Sequence, residues 1–173
     1  MLTIDTGRLL LRPFTREDYD DLYEFLSQRR DDPFEAYPGI TRKNGTEHLA
    51  YRLNSPEFYA MELKETGSVI GNIYWGNRDF SAREVGFIVN KNFQRRGFAR
   101  EAVLALLEQA FKEGVHRVYA ECDPRNKYSW RLLEACGFRR EATLRQNVWF
   151  HRDKNGDPIW QDNCVYAMLA EDF

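Results

Sequence analysis

The sequence predicts a mixed α/β fold, with about seven strands and about four helices around one core. Three observations lead there. Strand-like and helix-like patterns alternate through the middle of the chain, hairpin signals stand towards both ends, and 173 residues suffice for one substantial core without staples. One domain spanning residues 1–173 is expected, and no internal repeat is visible.

The elements follow in order. Arg8-Leu9-Leu10-Leu11-Arg12, closed by Pro13, reads as a first strand. Acidic Glu17-Asp18 then opens a helix to about Leu26, with Leu22, Phe25 and Leu26 as its apolar face. A loop-like stretch lies between Ser27 and Ile40, broken at Pro38-Gly39, and a helix from about Lys43 to Asn54 follows it. Phe58 to Lys64 and Ser68 to Trp75 flank Glu65-Thr66-Gly67 as a hairpin, and Glu84 to Val89 is a further strand. From Ala99 to Lys112, Val103, Leu106, Leu107, Ala110 and Phe111 recur at spacings of three and four, the signature of a core-facing helix stopped near Gly114. Arg117 to Cys122 reads as a strand, Asn126 to Ala135 as a helix ended by Gly137, and Phe138 to Leu144 as the next strand. A separate last pair, Val148-Trp149-Phe150 and Ile159-Trp160, brackets the turn Asn155-Gly156, and a strand at Cys164 to Leu169 ends the chain.

Composition narrows the function. With 43% hydrophobic and 30% charged residues and no low-complexity tract, disorder and fibrous classes do not fit. Basic and acidic residues number 25 and 27, so the excess of positive charge that marks many nucleic-acid binders is missing. No apolar run approaches the ~18 residues of a membrane span, and Met1 to Asp5 lacks a signal-peptide pattern, so a cytoplasmic protein with no membrane partner is expected. Cys122, Cys136 and Cys164 form no C-x-x-C pair and read as small buried hydrophobes. His48, His116 and His151 show no metal-ligand spacing, so no metal is expected.

The informative segment is Gln94-Arg95-Arg96-Gly97-Phe98-Ala99, between a strand and a helix. A helix start offers amides with no internal acceptor and the positive end of a dipole, which suits an anion. Neither G-K-[ST] nor G-x-G-x-x-G is present, so the phosphate belongs to another cofactor than those of nucleotide hydrolases or dinucleotide enzymes.

These six residues match the Q/R-x-x-G-x-G/A motif, and the chain thereby resembles the GCN5-related N-acetyltransferase (GNAT) superfamily. Leu9-Leu10-Leu11-Arg12, Glu84-Val85-Gly86-Phe87, and Asn126-x-x-Ser129 followed by Gly137-Phe138 extend the likeness over nearly the whole chain, towards the ribosomal-protein alanine N-acetyltransferase branch. The resemblance implies an acyl-CoA N-acyltransferase fold with a mostly antiparallel sheet, splayed between the strand ending at Val89 and the strand at Arg117 to Cys122. Acetyl-CoA would enter that gap, with pantetheine along Phe87, Ile88 and Val89 and the pyrophosphate on amides from Arg95 to Arg100. Gln94, Arg95, Arg96, Gly97, Phe98, Ala99, Arg100 and Asn126 would complete the cofactor site, with Lys127 or Arg131 near the ribose phosphate. Asn126 also stands where a helix N-cap is favoured.

Glu84 is the candidate base, because a carboxylate at the matching position serves as base in several branches. An ion pair with Arg83 or Arg100 is the structural alternative for it. Many members carry an acid tyrosine where this chain has Leu133, and Ser129, matching a serine proposed as acid in the ribosomal-protein branch, is the candidate proton donor. The partners implied are acetyl-CoA and an amine acceptor, either a peptide N-terminus or a small molecule. The oligomeric state stays open, a homodimer included. An α-amino group of pKa ~7.8 needs only a weak base, which slightly favours an N-terminus over a lysine near ~10.4. Asp31, Asp32 and Glu35, interleaved with Phe34 and Tyr37, are candidates for seating a cationic amine, together with the last hairpin. An acyl-CoA-binding sensor without turnover is the competing reading, to which Leu133 points.

Overall fold

The computed structural model describes residues 3–30, 32–34 and 40–173. Eight strands form one sheet in the order β1-β2-β3-β4-β5-β6-β8-β7. They are β1 (Ile4–Asp5), β2 (Leu9–Arg12), β3 (Phe58–Leu63), β4 (Val69–Arg78), β5 (Ala82–Val89), β6 (Arg117–Cys122), β7 (Arg139–Arg152) and β8 (Pro158–Leu169). Among the described residues four α-helices cover it: α1 (Tyr19–Ser27), α2 (Arg42–Asn54), α3 (Phe98–Lys112) and α4 (Lys127–Ala135). All neighbouring strands pair antiparallel except β5 and β6.

That exception positions the site. The parallel ladder joins Ala82, Arg83 and Glu84 to Arg117, Val118 and Tyr119 and then stops. Gly86 to Val89 stay paired to β4, and Ala120 to Cys122 to β8, so the two strands diverge from Glu84 onwards. A sheet that opens this way leaves one edge of β5 with backbone donors and acceptors that an extended ligand can use.

The sheet buries both faces. On one, Val103, Leu106, Leu107 and Ala110 of α3 and Leu133 of α4 pack on Val85, Val118 and Ala120. On the other, Leu22, Phe25 and Leu26 of α1 and Leu49 of α2 pack on Phe58, Ala60 and Ile88. The predicted apolar faces of α1 and α3 are the ones buried, and each such Leu or Val contributes about 1.5–3 kcal/mol on burial.

Two expectations change. Among the described residues the strands number eight where about seven were expected, and two-residue β1, paired with Leu10 and Leu11, is too short for any periodicity to register. The terminal fragments are also not separate: Phe150 is continuous with the strand begun at Arg139, and Trp160 with the one ending at Leu169. The apparent gap at Arg145 to Asn147 is an irregularity inside β7. Leu144 pairs with Asn163 but Val148 with Gln161, so β7 carries two extra residues there. Gln146 takes a left-handed φ of 49° and donates its N–H to Asp162 Oδ1 at 2.9 Å.

Candidate active site

At the end of β5 the chain turns through Asn90, which is buried and tied on every side. Its side chain accepts from Gln28 Nε2 at 3.0 Å and from the Asn92 N–H at 3.0 Å, and donates to Glu24 Oε1 at 2.8 Å. Gln94 folds back to donate to the Val89 carbonyl at 3.0 Å. Arg95 and Gly97 then adopt φ of 60° and 82°, and α3 begins. The first intrahelical bond runs from the Glu101 N–H to the Gly97 carbonyl at 3.0 Å, so the amides of Phe98, Ala99 and Arg100 have no acceptor within the helix. Arg8 braces the turn, donating to the Arg96 carbonyl at 2.9 Å and to Glu101 Oε2 at 2.7 Å. The result is a fixed, amide-lined helix start with Arg95 and Arg96 beside it, which fits a pyrophosphate.

Where β5 and β6 part, a cavity of about 460 Å³ opens. Phe87, Ile88, Asn126 and Ser129 line it, and Glu84, Glu121 and Asp123 bring carboxylates to it. Phe34, Tyr51, Phe58, Tyr74 and Phe150 add aromatic walls. Asn126 caps α4, its Oδ1 accepting the Ser129 N–H at 3.2 Å, which fixes the start of the helix that carries the Ser129 hydroxyl.

The electrostatics separate the three acids. Glu84 takes an ion pair from Arg78 and a longer hydrogen bond from the Tyr119 hydroxyl at 3.4 Å. Arg78 also donates to the Tyr74 hydroxyl at 2.8 Å and to the Tyr119 hydroxyl at 3.3 Å, so one guanidinium organises this wall. Asp123 is gripped by Arg125; burial works against its charge, but Arg125 outweighs it and holds the carboxyl below the usual range. Glu121 goes the other way. Partial burial and then the charge of Glu84 push its carboxyl above the usual range, against the hydrogen bond that Asn163 donates to it. Cys122 is raised to about 11, chiefly by burial, so its thiol is protonated near neutrality and is a poor nucleophile.

Residues 8–139 match the acetyltransferase (GNAT) domain family. The chain belongs to the GNAT family of acetyltransferases. It is accordingly an acetyl-CoA-dependent N-acetyltransferase. The uncharacterized N-acetyltransferase YnaD of Bacillus subtilis is 30% identical to it over 98% of both chains. The ribosomal protein uS5-alanine N-acetyltransferase of Escherichia coli is 22% identical over 98% of this chain and 92% of its own. A crystallised GNAT-family acetyltransferase from Bacillus anthracis superposes with a TM-score of 0.87 at 26% identity, covering 98% of this chain and 99% of that one.

For this GNAT chain, the cavity brings together Glu84, Phe87, Ile88, Asn126 and Ser129 of the residues singled out by sequence. Gln94 to Arg100 form the turn and helix start, with Phe98 and Ala99 buried so that only their backbone is available to a ligand. Arg95 reaches over Tyr128, Arg96 over Phe93 and Phe98, and Arg100 donates to the Ala135 carbonyl at 3.1 Å. The Val89 side chain is in the core, outside the cavity wall.

The ion partner of Glu84 is Arg78, not Arg83 or Arg100, because the β4–β5 hairpin sets Arg78 opposite Ala82 and lets its long side chain reach back along the strand. The Asp32 carboxylate is held by Arg29 at 2.7 Å and accepts the Phe34 N–H at 3.0 Å. Phe34 does line the cavity, with Arg125 over its ring. Asp31, Glu35 and Tyr37 lie outside the described residues. Sequence reasoning missed Arg78, Tyr119 and Glu121, although Arg117, Tyr119 and Glu121 alternate with Val118, Ala120 and Cys122 along β6, a visible signal. Among the described residues, no group of three or more His, Cys, Asp or Glu side chains is set to hold a metal, and no helix is long and apolar enough to cross a membrane.

Proposed function

We propose that the chain transfers an acetyl group from acetyl-CoA directly to a primary amine in a ternary complex, the acceptor being a protein N-terminus or a small amine. The observation that carries this reading is the cavity at the strand divergence, where Phe87, Ile88, Asn126 and Ser129 meet carboxylates. Cofactor binding rests on the backbone of Gln94, Arg95, Arg96, Gly97, Phe98, Ala99 and Arg100 for the pyrophosphate, and on Phe87, Ile88, Val89 and Asn126 for the pantetheine arm. The high thiol pKa of Cys122 speaks against an acyl-cysteine intermediate and for direct attack. Residues 1–173 act as one domain in this reading. Its setting is the cytoplasm, with which three free thiols agree.

Glu84 draws the proton from the incoming ammonium, and Ser129 donates one to the departing thiolate. The Glu84→Gln variant should lower kcat by roughly 10²-fold and flatten its rise with pH. A pH profile of kcat matching the wild type would remove Glu84 from this role. The Ser129→Ala variant should lose less, about threefold to tenfold, because a thiolate of pKa ~8.5 leaves with little help. A larger loss, unaccompanied by a change in coenzyme A affinity, would assign Ser129 a greater share of the barrier.

The acceptor is tested by following thiol release from acetyl-CoA across peptides with free N-termini, polyamines and aminoglycosides. A peptide N-terminus is favoured by the likeness to the uS5-alanine enzyme, which acts on a ribosomal protein. Turnover with peptides alone upholds that choice. Turnover with small amines alone moves the acceptor to the second class, and no turnover with any amine overturns the reading.

A further inference from the structure

Asn72 is 2% exposed, yet it lines the cavity, and acetyl transfer as drawn above does not use it. The β4–β5 register pairs Gly76 with Glu84, Tyr74 with Gly86 and Asn72 with Ile88, and side chains two residues apart leave the same face of a sheet. Glu84, Tyr74 and Asn72 therefore stand on one face, one rung after another. On β3, Phe58 pairs with Tyr74, their ring centroids 5.2 Å apart, and Tyr51 of α2 meets Phe58 edge-on at 5.5 Å. This wall of the cavity carries a carboxylate at one end, aromatic rings in the middle and Asn72 at the other end.

Arg52 of α2, 1% exposed, fixes which way the Asn72 amide points. Its Nε and Nη2 both donate to Asn72 Oδ1, at 3.3 and 3.2 Å. The guanidinium is itself held, its Nη1 donating to the His48 carbonyl at 3.2 Å and its centre lying 4.8 Å from the Phe58 ring centroid. A guanidinium carries N–H donors and no acceptor, so only the carbonyl end of the amide can face it. A flipped amide would set donor against donor, and the NH2 end is thereby turned away from Arg52. That Nδ2 makes no hydrogen bond to a described residue, and it opens on the cavity that Asn72 lines. A donor held at a fixed bearing among aromatic walls suits an oxygen brought in by a ligand.

We propose that Asn72 is a specificity-determining residue of the acceptor subsite, its amide, aimed by Arg52, donating to a neutral carbonyl oxygen about two residues' length from the acceptor's amine. It rests on the amine-acetylation reading above. The rungs of Glu84 and Asn72 are four residues apart on β4, roughly 13 Å, and side chains stand roughly perpendicular to a sheet. Allowing ~3 Å for a hydrogen bond at each end leaves ~7 Å, the span of about two extended residues. An acceptor with its amine at Glu84 thus brings the second carbonyl of an extended peptide to Asn72. β4 lies on the far side of β5 from the opened gap, so Asn72 faces the acceptor and not the pantetheine arm. An ammonium group only donates, so the second nitrogen of a protonated polyamine cannot take the place of that carbonyl.

Two substitutions separate this role from packing. Asn72→Asp keeps the size and the oxygen that faces Arg52, and replaces the cavity-side donor with a second oxygen, which repels a carbonyl. Asn72→Ala deletes the donor and leaves nothing in its place.

The deciding experiment measures kcat and KM for wild type, Asn72→Asp and Asn72→Ala with two acceptors, beside coenzyme A melting shifts. One acceptor is a dipeptide amide. The other is the N-alkyl amide of the same first residue, which keeps the α-amino group and the first carbonyl and lacks the second. In kcat/KM the wild type should prefer the dipeptide amide about tenfold to a hundredfold, and both variants should lose most of that preference, chiefly through KM, with the coenzyme A shift retained. A wild type without the preference, or a folded variant that keeps it, overturns the proposal while amine acetylation stands. A variant that slows both acceptors alike keeps the ratio, as a side chain that only packs against Arg52 would. Loss of the coenzyme A shift in folded Asn72→Asp also overturns it, since the amide would then serve the cofactor. If the wild type turns over no amine of any class, the parent reading fails and takes this one with it.

Discussion

Gly97→Val should abolish coenzyme A binding. Gly97 is the N-cap of α3 at φ 82°, a left-handed conformation that costs a β-branched residue roughly 1–3 kcal/mol. An added Cβ would come into van der Waals contact, at 3.4 Å, with Nη2 of Arg8, whose Nη1 braces the turn by donating to the Arg96 carbonyl. The turn should relieve its strain by rotating, which takes the amides of Phe98 to Arg100 out of alignment for a pyrophosphate. An affinity loss of at least about a hundredfold is expected, equivalent to roughly 2.7 kcal/mol. With coenzyme A at a hundred times its Kd, the wild type should gain roughly 5–10 °C in melting temperature and the variant almost nothing. Gly114→Ala is the matched control. It has the same handedness, φ 83°, at the far end of α3, so it should lose stability and keep the coenzyme A shift. A folded Gly97→Val protein that retained the shift would take the pyrophosphate away from this turn.

The largest loss of stability should come from Asp18→Ala. Asp18 is 5% exposed, accepts both terminal nitrogens of Arg12 at 2.8 Å and takes the Thr15 N–H at 2.7 Å. Its removal leaves the Thr15 amide without that acceptor and Arg12 with Glu62 as its remaining acid. Because Glu62 remains, the loss should be ~2–3 kcal/mol, below that of a buried charge left wholly alone. In a chain of this size that lowers the melting temperature by roughly 4–12 °C. The pH dependence has a definite sign. Burial raises the Asp18 carboxyl, but Arg12 and Thr15 outweigh it, and the net shift is downward from 3.8. A carboxyl depressed on folding stabilises above its unfolded pKa and loses that contribution as pH falls through its folded one. The gap between wild type and variant should therefore be full at pH 7 and close progressively below about pH 4. Melts showing a gap that persists undiminished to pH 2 would assign the loss to packing instead of charge.

The strand, turn and helix start around Gly97 were readable because they are built from local sequence. A strand of β-branched residues, a glycine at a turn and a helix with 3.6-residue periodicity each leave a pattern within a dozen residues, and a phosphate needs only their amides. The same holds for Asn126 and Ser129, neighbours on one helix end. Resemblance then extended that local reading to the family.

The partners of the cavity carboxylates were not readable in the same way. Arg78 meets Glu84 through a hairpin, Tyr119 meets it through a parallel pairing 35 residues away, and Asn163 meets Glu121 from 42 residues away. A residue's partners across a sheet depend on strand order and register, which no periodicity in the sequence encodes. The extended β7 escaped notice for a related reason: its two extra residues at Arg145 to Asn147 break the alternation locally, while pairing with β8 carries the strand through.

The sequence by itself determined the helix faces, the strand that leads into the Gln94–Ala99 turn, and the family, since all three rest on short-range patterns. Only the tertiary structure decided that the sheet parts at Glu84, that Arg78 is that carboxylate's counter-ion, and that Glu121 stands beside it with a raised pKa. The physical reason is that charge and solvation are summed over neighbours in space, and those neighbours are chosen by the closing of the sheet.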